Sequence, residues 1–242
     1  ILLFGTMLLA TDVQAQLLDT KAKQAFMIDA STGTVLFEKN ADEPVPPASL
    51  AKLMTMEVVF QALKSGRRAG SETFPVSENA WRTGGAPSGT STMFAALKSQ
   101  VPIIDLVRGA IVQSANDACI ILAEGFAESE QAFSEHMNER AKAIGLNGSV
   151  FKNSNGLPAE GQLVTMRDLV KLGSHIWREY PELYQIYSEP EFTWNKITQR
   201  NRNPLLGLDN GVDGMSTGFT EESGYAILAS AQKNGMRLFM AM

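Results

Sequence analysis

The sequence predicts an α+β fold in which the two chain ends build one antiparallel sheet and a helical middle region packs against it. Three observations predict it. Ala25–Asp29 and Thr34–Glu38 are short apolar runs joined by Ala30-Ser-Thr-Gly33, the pattern of a β-hairpin. Tyr225–Ala231 and Met236–Met242 repeat that pattern around Lys233-Asn-Gly235, and Asn-Gly is a strong turn signal. Between the hairpins, apolar residues recur at helical spacing. Strands at both ends enclosing helices make one α+β unit, and no internal repeat or low-complexity linker divides it.

Taken in order, the chain opens with an apolar run, Ile1–Ala10, too short to span a bilayer. Val13-Gln14-Ala15 then has the small-residue character of a signal-peptidase site. Residues 1–15 are expected to be part of an export signal, and 16–242 one domain. Met242 falls in mid-strand, so the domain is expected to be truncated at its C-terminal end. After Pro46-Pro47, apolar residues at 50, 53, 54, 58 and 62 predict a helix from Ser49 to Leu63. Ile104–Ala115, Ala118–Ala127 and Ser129–Ile144 are further helices, the last stopped by Gly145. Thr165-Met-Arg-Asp168 resembles a capping box and opens a helix that runs to about Glu179, before Pro181.

Composition excludes several classes. With 44% hydrophobic and 19% charged residues, the chain is neither coiled coil, collagen-like nor disordered. A formal charge of -5, with no basic run longer than Arg67-Arg68, leaves no footprint for nucleic acid. Cys119 is the single cysteine, so neither an intrachain disulfide nor a zinc site is expected, and no metal or cofactor is called for. Flanked by Ala118, Ile120 and Ile121, it reads as a buried thiol. Export together with one cysteine suits the bacterial periplasm or cell envelope. His136 and His175 fall on separate helices, which gives little support to a Ser-His-Asp triad. The spacing of Trp81, Trp177 and Trp194 fits core packing better than a glycan groove.

Three short elements carry candidate chemistry: Ser49-Leu-Ala-Lys52, Ser114-Ala-Asn116 and Ser216-Thr-Gly218. Each has a second copy, in Ser149-Val-Phe-Lys152, Ser77-Glu-Asn79 and Ser31-Thr-Gly33, so context must choose between them. Ser49 stands where a helix begins, and Lys52 follows one turn later on the same face. A helix N-terminus stabilises developing negative charge, and a neighbouring amine can take the hydroxyl proton. That amine must be neutral, which burial among Leu50, Leu53 and Met54 would favour. Ser149 and Lys152, by contrast, lie in a Gly/Asn-rich stretch that fixes no geometry.

Pro46-Pro-Ala-Ser-Leu-Ala-Lys-Leu-Met-Thr55 resembles the active-site segment of the low-molecular-mass penicillin-binding proteins, serine D-Ala-D-Ala carboxypeptidases related to the serine β-lactamases. The resemblance continues, in order, through Ile111–Ala118, Phe151–Leu157, Asn201-Arg-Asn203 and Val212–Thr220. It implies the DD-peptidase fold, peptidoglycan stem peptides as substrate and β-lactams as covalent inhibitors. It also implies an exported protein, with inner-membrane association through a C-terminal segment beyond this sequence. Ser49 would be the nucleophile, Lys52 its general base, and Ser114 a proton relay to the leaving amine. Asn116 would bind the substrate amide and help fix Lys52. Thr217 and Arg202 would hold the terminal carboxylate, although a structural salt bridge is an equal reading of Arg202. Gly218 would let substrate lie close to its strand. The backbone N–H groups of Ser49 and Phe219 would form an oxyanion hole, where one donor is worth about 2.7–4 kcal/mol.

One position departs from the pattern. The third motif of the family begins with lysine, and here the residue is Ser216. A hydroxyl keeps a hydrogen bond but no charge, so weakened turnover is expected. Alternatives are a peptidoglycan-binding homologue without catalysis, a DD-endopeptidase, and a β-lactamase. No class A type Glu-x-x-x-Asn deacylation element is evident between Phe151 and Thr165.

Overall fold

A computed structural model describes residues 20–242; the expected export segment and its boundary at residue 16 lie outside the described residues. Strands β1 (Ala25–Asp29) and β2 (Thr34–Lys39) form the N-terminal hairpin. A 3-10 turn over Ala48–Ala51 leads into α1 (Lys52–Lys64). Then come β3 (Thr73–Pro75), α2 (Glu78–Thr83), β4 (Gln100–Pro102), α3 (Ile103–Val112), α4 (Asn116–Ala127) and α5 (Glu130–Ala143). The chain continues through α6 (Met166–Glu179), α7 (Pro181–Tyr184) and a small hairpin, β5 (Glu191–Trp194) with β6 (Ile197–Arg200). It closes with β7 (Val212–Thr220), β8 (Gly224–Lys233) and β9 (Met236–Ala241).

The five-stranded sheet has the order β2-β1-β9-β8-β7, antiparallel throughout, so the two chain ends meet at the β1–β9 pair. Asn234 and Gly235 both take positive φ between β8 and β9, the backbone that a two-residue hairpin turn of the right twist requires. β7 is left as an edge strand.

α1 is the central helix. Leu53, Met54, Met56, Val58, Val59 and Phe60 are all buried, as befits a helix surrounded by packing partners. The expected apolar stripe understated this, because Met56, Val59 and Phe60 lie off it. The Thr165 hydroxyl caps α6 by accepting from Asp168 N, and Gly145 ends α5 with φ 76°. Two boundaries differ from expectation. The helix expected to start at Ser49 begins as a 3-10 turn, with α geometry from Lys52. The helix expected to run to Ala115 stops at Val112, and Ser114 takes a left-handed backbone (φ 55°) before α4 starts at Asn116.

Candidate active site

The site lies where the start of α1, the α3–α4 junction and the edge strand β7 converge. Lys52 Nζ is 2.9 Å from Ser49 Oγ and donates to the main-chain oxygen of Asn155 at 2.6 Å. At 2% exposure the amine has lost almost all its water. Burial pulls its pKa down from an ordinary lysine's 10.5 to about 8, while Cys119 and Asp117 on α4 push the other way. Cys119 is itself fully buried, and burial lifts its thiol to about 12. The thiol is therefore neutral near pH 8, leaving Asp117 as the anion of the two. A buried amine of lowered pKa beside a serine hydroxyl at a helix start can accept that hydroxyl's proton.

The backbone of Ser49 is gripped from two sides. Gly156 has φ 84°, and a Cβ there would stand 1.8 Å from the Ala48 carbonyl oxygen. On the other side, a Cβ on Gly218 would meet Ala48 Cβ at 3.0 Å and Ser49 N at 3.1 Å. Gly218 thus lies close to the protein's own chain at Ala48–Ser49, and it also lines the cleft. This approach seats β7 against the 3-10 turn that carries Ser49, and Phe219, the next residue along β7, lines both lobes of the cleft together with Ser49.

That cleft has two lobes, of about 470 and about 700 Å³, both lined by Ser49, Ser91, Arg202 and Phe219. Asn116, Asn155 and Leu157 line the smaller lobe; Ser114, Thr217 and Gly218 line the larger. Lys52 sits beneath Ser49. Ser216 is half-buried on β7 and lines neither lobe, and its hydroxyl makes no hydrogen bond among the described residues. Arg202 has no carboxylate partner among the described residues. Its guanidinium reaches only the Gln113 carbonyl at 3.5 Å and Gln199 Oε1 at 3.4 Å, and Thr217 Oγ1 points to its main-chain oxygen at 3.4 Å. Among the described residues the salt-bridge reading of Arg202 finds no support, and its charge stands without a carboxylate beside the cleft.

Asn116 is arranged differently from expectation. Its side-chain amide donates to Thr90 Oγ1 at 2.9 Å, and Lys52 is fixed by Ser49 and the Asn155 carbonyl. The sequence alone assigns no role to Asn155, Gly156, Thr90 or Ser91. A main-chain acceptor leaves no side-chain trace, although Asn155-Gly156 is a turn signal and Ser88-Gly-Thr-Ser-Thr92 is conspicuously hydroxyl-rich.

The duplicate motifs have local structural jobs. Ser149 donates to Asp168 Oδ2 at 2.8 Å, and Lys152 is exposed. Ser77 caps α2 by accepting from Ala80 N, and Ser31-Thr-Gly33 is the β1–β2 turn. His175 lies 3.3 Å from buried Glu57, which also pairs with Arg140 and accepts from Tyr180, while His136 is exposed. The three tryptophans pack half-buried against the core.

Comparison with known proteins gives a consistent answer. Residues 10–242 match the family described as D-alanyl-D-alanine carboxypeptidase. D-alanyl-D-alanine carboxypeptidase DacC of Escherichia coli is 44% identical over 238 residues, covering 98% of this chain and 60% of that protein. The chain therefore spans well under two thirds of that relative's length. Penicillin-binding protein 6B of Escherichia coli superposes with a TM-score of 0.89 at 38% identity, covering 96% of this chain and 74% of that one. Penicillin-binding protein D2 of Listeria monocytogenes, solved in an ampicillin-bound form, superposes with a TM-score of 0.77 at 30% identity over 91% of this chain and 88% of that one. The chain belongs to the D-alanyl-D-alanine carboxypeptidase family.

Proposed function

We propose that this chain is the catalytic unit of an exported serine D-Ala-D-Ala carboxypeptidase that removes the terminal D-alanine from peptidoglycan stem peptides. The observation that carries the reading is the Ser49–Lys52 pair: a hydroxyl 2.9 Å from a buried amine whose pKa is about 8. In the reaction, Lys52 takes the Ser49 proton as Oγ bonds to the scissile carbonyl carbon. The Ser49 and Phe219 amides receive the oxyanion. The carbon–nitrogen bond then breaks, D-alanine leaves with a proton passed through Ser114, and water hydrolyses the Ser49 ester. Asn116 would bind the substrate amide from the smaller lobe. Arg202 and Thr217 would hold the terminal carboxylate, and the charge of Arg202, without a carboxylate among the described residues, supports that assignment. β-Lactams would acylate the same oxygen; the ampicillin-bound form of the Listeria relative supports this. The protein would work in the periplasm or outer face of the cytoplasmic membrane, where its substrate is.

A second reading is favoured by one position. Ser216 brings no charge to β7, so a stem-peptide binder with negligible turnover shares the same cleft. Intact mass after incubation with benzylpenicillin separates the two. A time-dependent adduct mapped to Ser49, absent in Ser49→Ala, supports the enzyme. No adduct at any drug concentration refutes it.

A further inference from the structure

Asp117 is fully buried and lines neither lobe of the cleft, yet its carboxylate accepts four hydrogen bonds. Oδ1 accepts from Met93 N at 3.0 Å and from Ala118 N at 3.0 Å; Oδ2 accepts from Thr92 Oγ1 at 2.7 Å and Ala95 N at 3.1 Å. Four donors converging on one side chain is the environment of an ionised carboxylate. Burial pushes its pKa up, and the same four hydrogen bonds pull against that. Three of them reach a single distant segment, Thr92–Ala95. The two residues before that segment, Thr90 and Ser91, both line the cleft. Thr90 Oγ1 accepts from the Asn116 side chain, and the Ser91 carbonyl accepts from Asn116 N at 2.8 Å. A ring of contacts closes: Asp117 to the loop, the loop to Asn116, and Asn116 to Asp117 through the chain.

We propose that Asp117 is a positioning residue of this site: it clamps the Thr90–Ala95 loop onto the start of α4 and so sets the Asn116 amide and the Ser91 wall of the Ser49 cleft. The inference rests on the carboxypeptidase reading for its kinetic consequence, but not for the clamp itself. It also has an electrostatic consequence. Lys52 is hydrogen-bonded to Ser49 and the Asn155 carbonyl, and Cys119 and Asp117 of α4 act on it through charge; Glu130 of α5 is engaged with Ser154. Arg140, His175 and Tyr180 gather instead on Glu57, further along α1. With the thiol neutral, Asp117 is the anion that favours protonated Lys52. Removing its charge lets Lys52 lose its proton at lower pH.

The test compares Asp117→Asn and Thr92→Val with the wild type in two measurements. One is acylation by fluorescent penicillin as a function of pH; the other is hydrogen exchange at the amides of Met93 and Ala95. In Asp117→Asn, exchange at both amides should quicken by roughly tenfold or more while α3 and α5 stay protected. Acylation should fall by about 10²-fold, the scale of an ångström-level misplacement, and its acid limb should move to lower pH. Thr92→Val keeps the charge, so acylation should slow with the limb in place. Unchanged exchange in Asp117→Asn overturns the clamp, whatever the rate does. A limb that stays put overturns the electrostatic part. If Asp117→Asn does not fold, Thr92→Val decides: faster exchange at Ala95 supports the clamp, and wild-type exchange overturns it. A wild type that takes no penicillin refutes the carboxypeptidase reading, and exchange alone then judges the clamp.

Discussion

If Lys52 is the proposed base, it must be neutral at the moment it takes the Ser49 proton, so its protonation should be visible in the kinetics. With a pKa of about 8, the acylation rate constant should rise nearly tenfold from about pH 6 to 7, about fivefold more to pH 8, and level off by about pH 9 to 10. Stopped-flow acylation by a β-lactam across that range checks it; a flat profile would remove Lys52 as the base. Ser216 sharpens the same question. Charged hydrogen bonds contribute about 1.5–3 kcal/mol net, and each ~1.36 kcal/mol is tenfold in rate. Ser216→Lys should therefore speed acylation by roughly 10- to 150-fold. A second cation would also disfavour protonated Lys52, moving the limb to lower pH. An unchanged rate constant would show that Ser216 is not what limits this site. Ser49 and Lys52 were legible in the sequence as chemistry, serine with an amine one turn on. The sequence context already favours this copy over Ser149-Val-Phe-Lys152, whose Gly/Asn-rich stretch fixes no geometry, and the hydrogen bond of Ser149 to Asp168, made by folding, gives that serine a separate job.

At the scale of elements, legibility followed hydrogen-bonding range and length. The two terminal hairpins and α3 to α6 were readable because their apolar period runs for many residues and their ends carry local signals, Asn234-Gly235 and the Thr165 cap among them. The β3–β4 and β5–β6 pairs, of three and four residues per strand, were not, because so short a run has no period. The Asn155 carbonyl that holds Lys52 was invisible for another reason: it comes from 103 residues away and from the main chain. Its loop makes the firmest demand on a single position. A methyl group at Gly156 would sit 1.8 Å from the Ala48 oxygen, and φ 84° is strained for any L side chain. Overpacking costs about 1–3 kcal/mol, and the strained backbone adds about 1–2 kcal/mol. Gly156→Ala should therefore lower stability by roughly 2–5 kcal/mol and displace Ser49, with acylation falling at least about 10²-fold. Gly161→Ala is the control. It has a similar φ of 74° but no neighbour closer than Lys152 Cε at 3.6 Å, so it should lose some stability and keep its acylation rate. Equal rates in the two variants would mean that contact with Ala48 does not matter.

For the whole molecule, the buried Lys52 carries an energetic cost that its removal should reveal. Lys52 is charged in the unfolded chain up to about pH 10.5 but in the folded protein only up to about 8. Its folded pKa is the lower of the two, so between those values the unfolded state binds more protons, and stability must rise with pH. Below pH 8 both states are protonated and the full cost applies. A displacement of that size corresponds to about 3 kcal/mol. Lys52→Met fills a similar volume without a charge to bury, although it leaves the Asn155 carbonyl without its donor, a loss of about 1–3 kcal/mol. At pH 7 the variant should therefore equal or modestly exceed the wild type in stability while losing acylation altogether. The decisive quantity is the difference between the two proteins, because every other titrating group cancels in it. From pH 8 to 10.5 the wild type should gain about 3 kcal/mol on the variant, read as urea midpoints at fixed slope. A difference that stays constant over that range would mean that Lys52 is not held neutral by burial. The kinetic limb near pH 8 would then need another group to explain it.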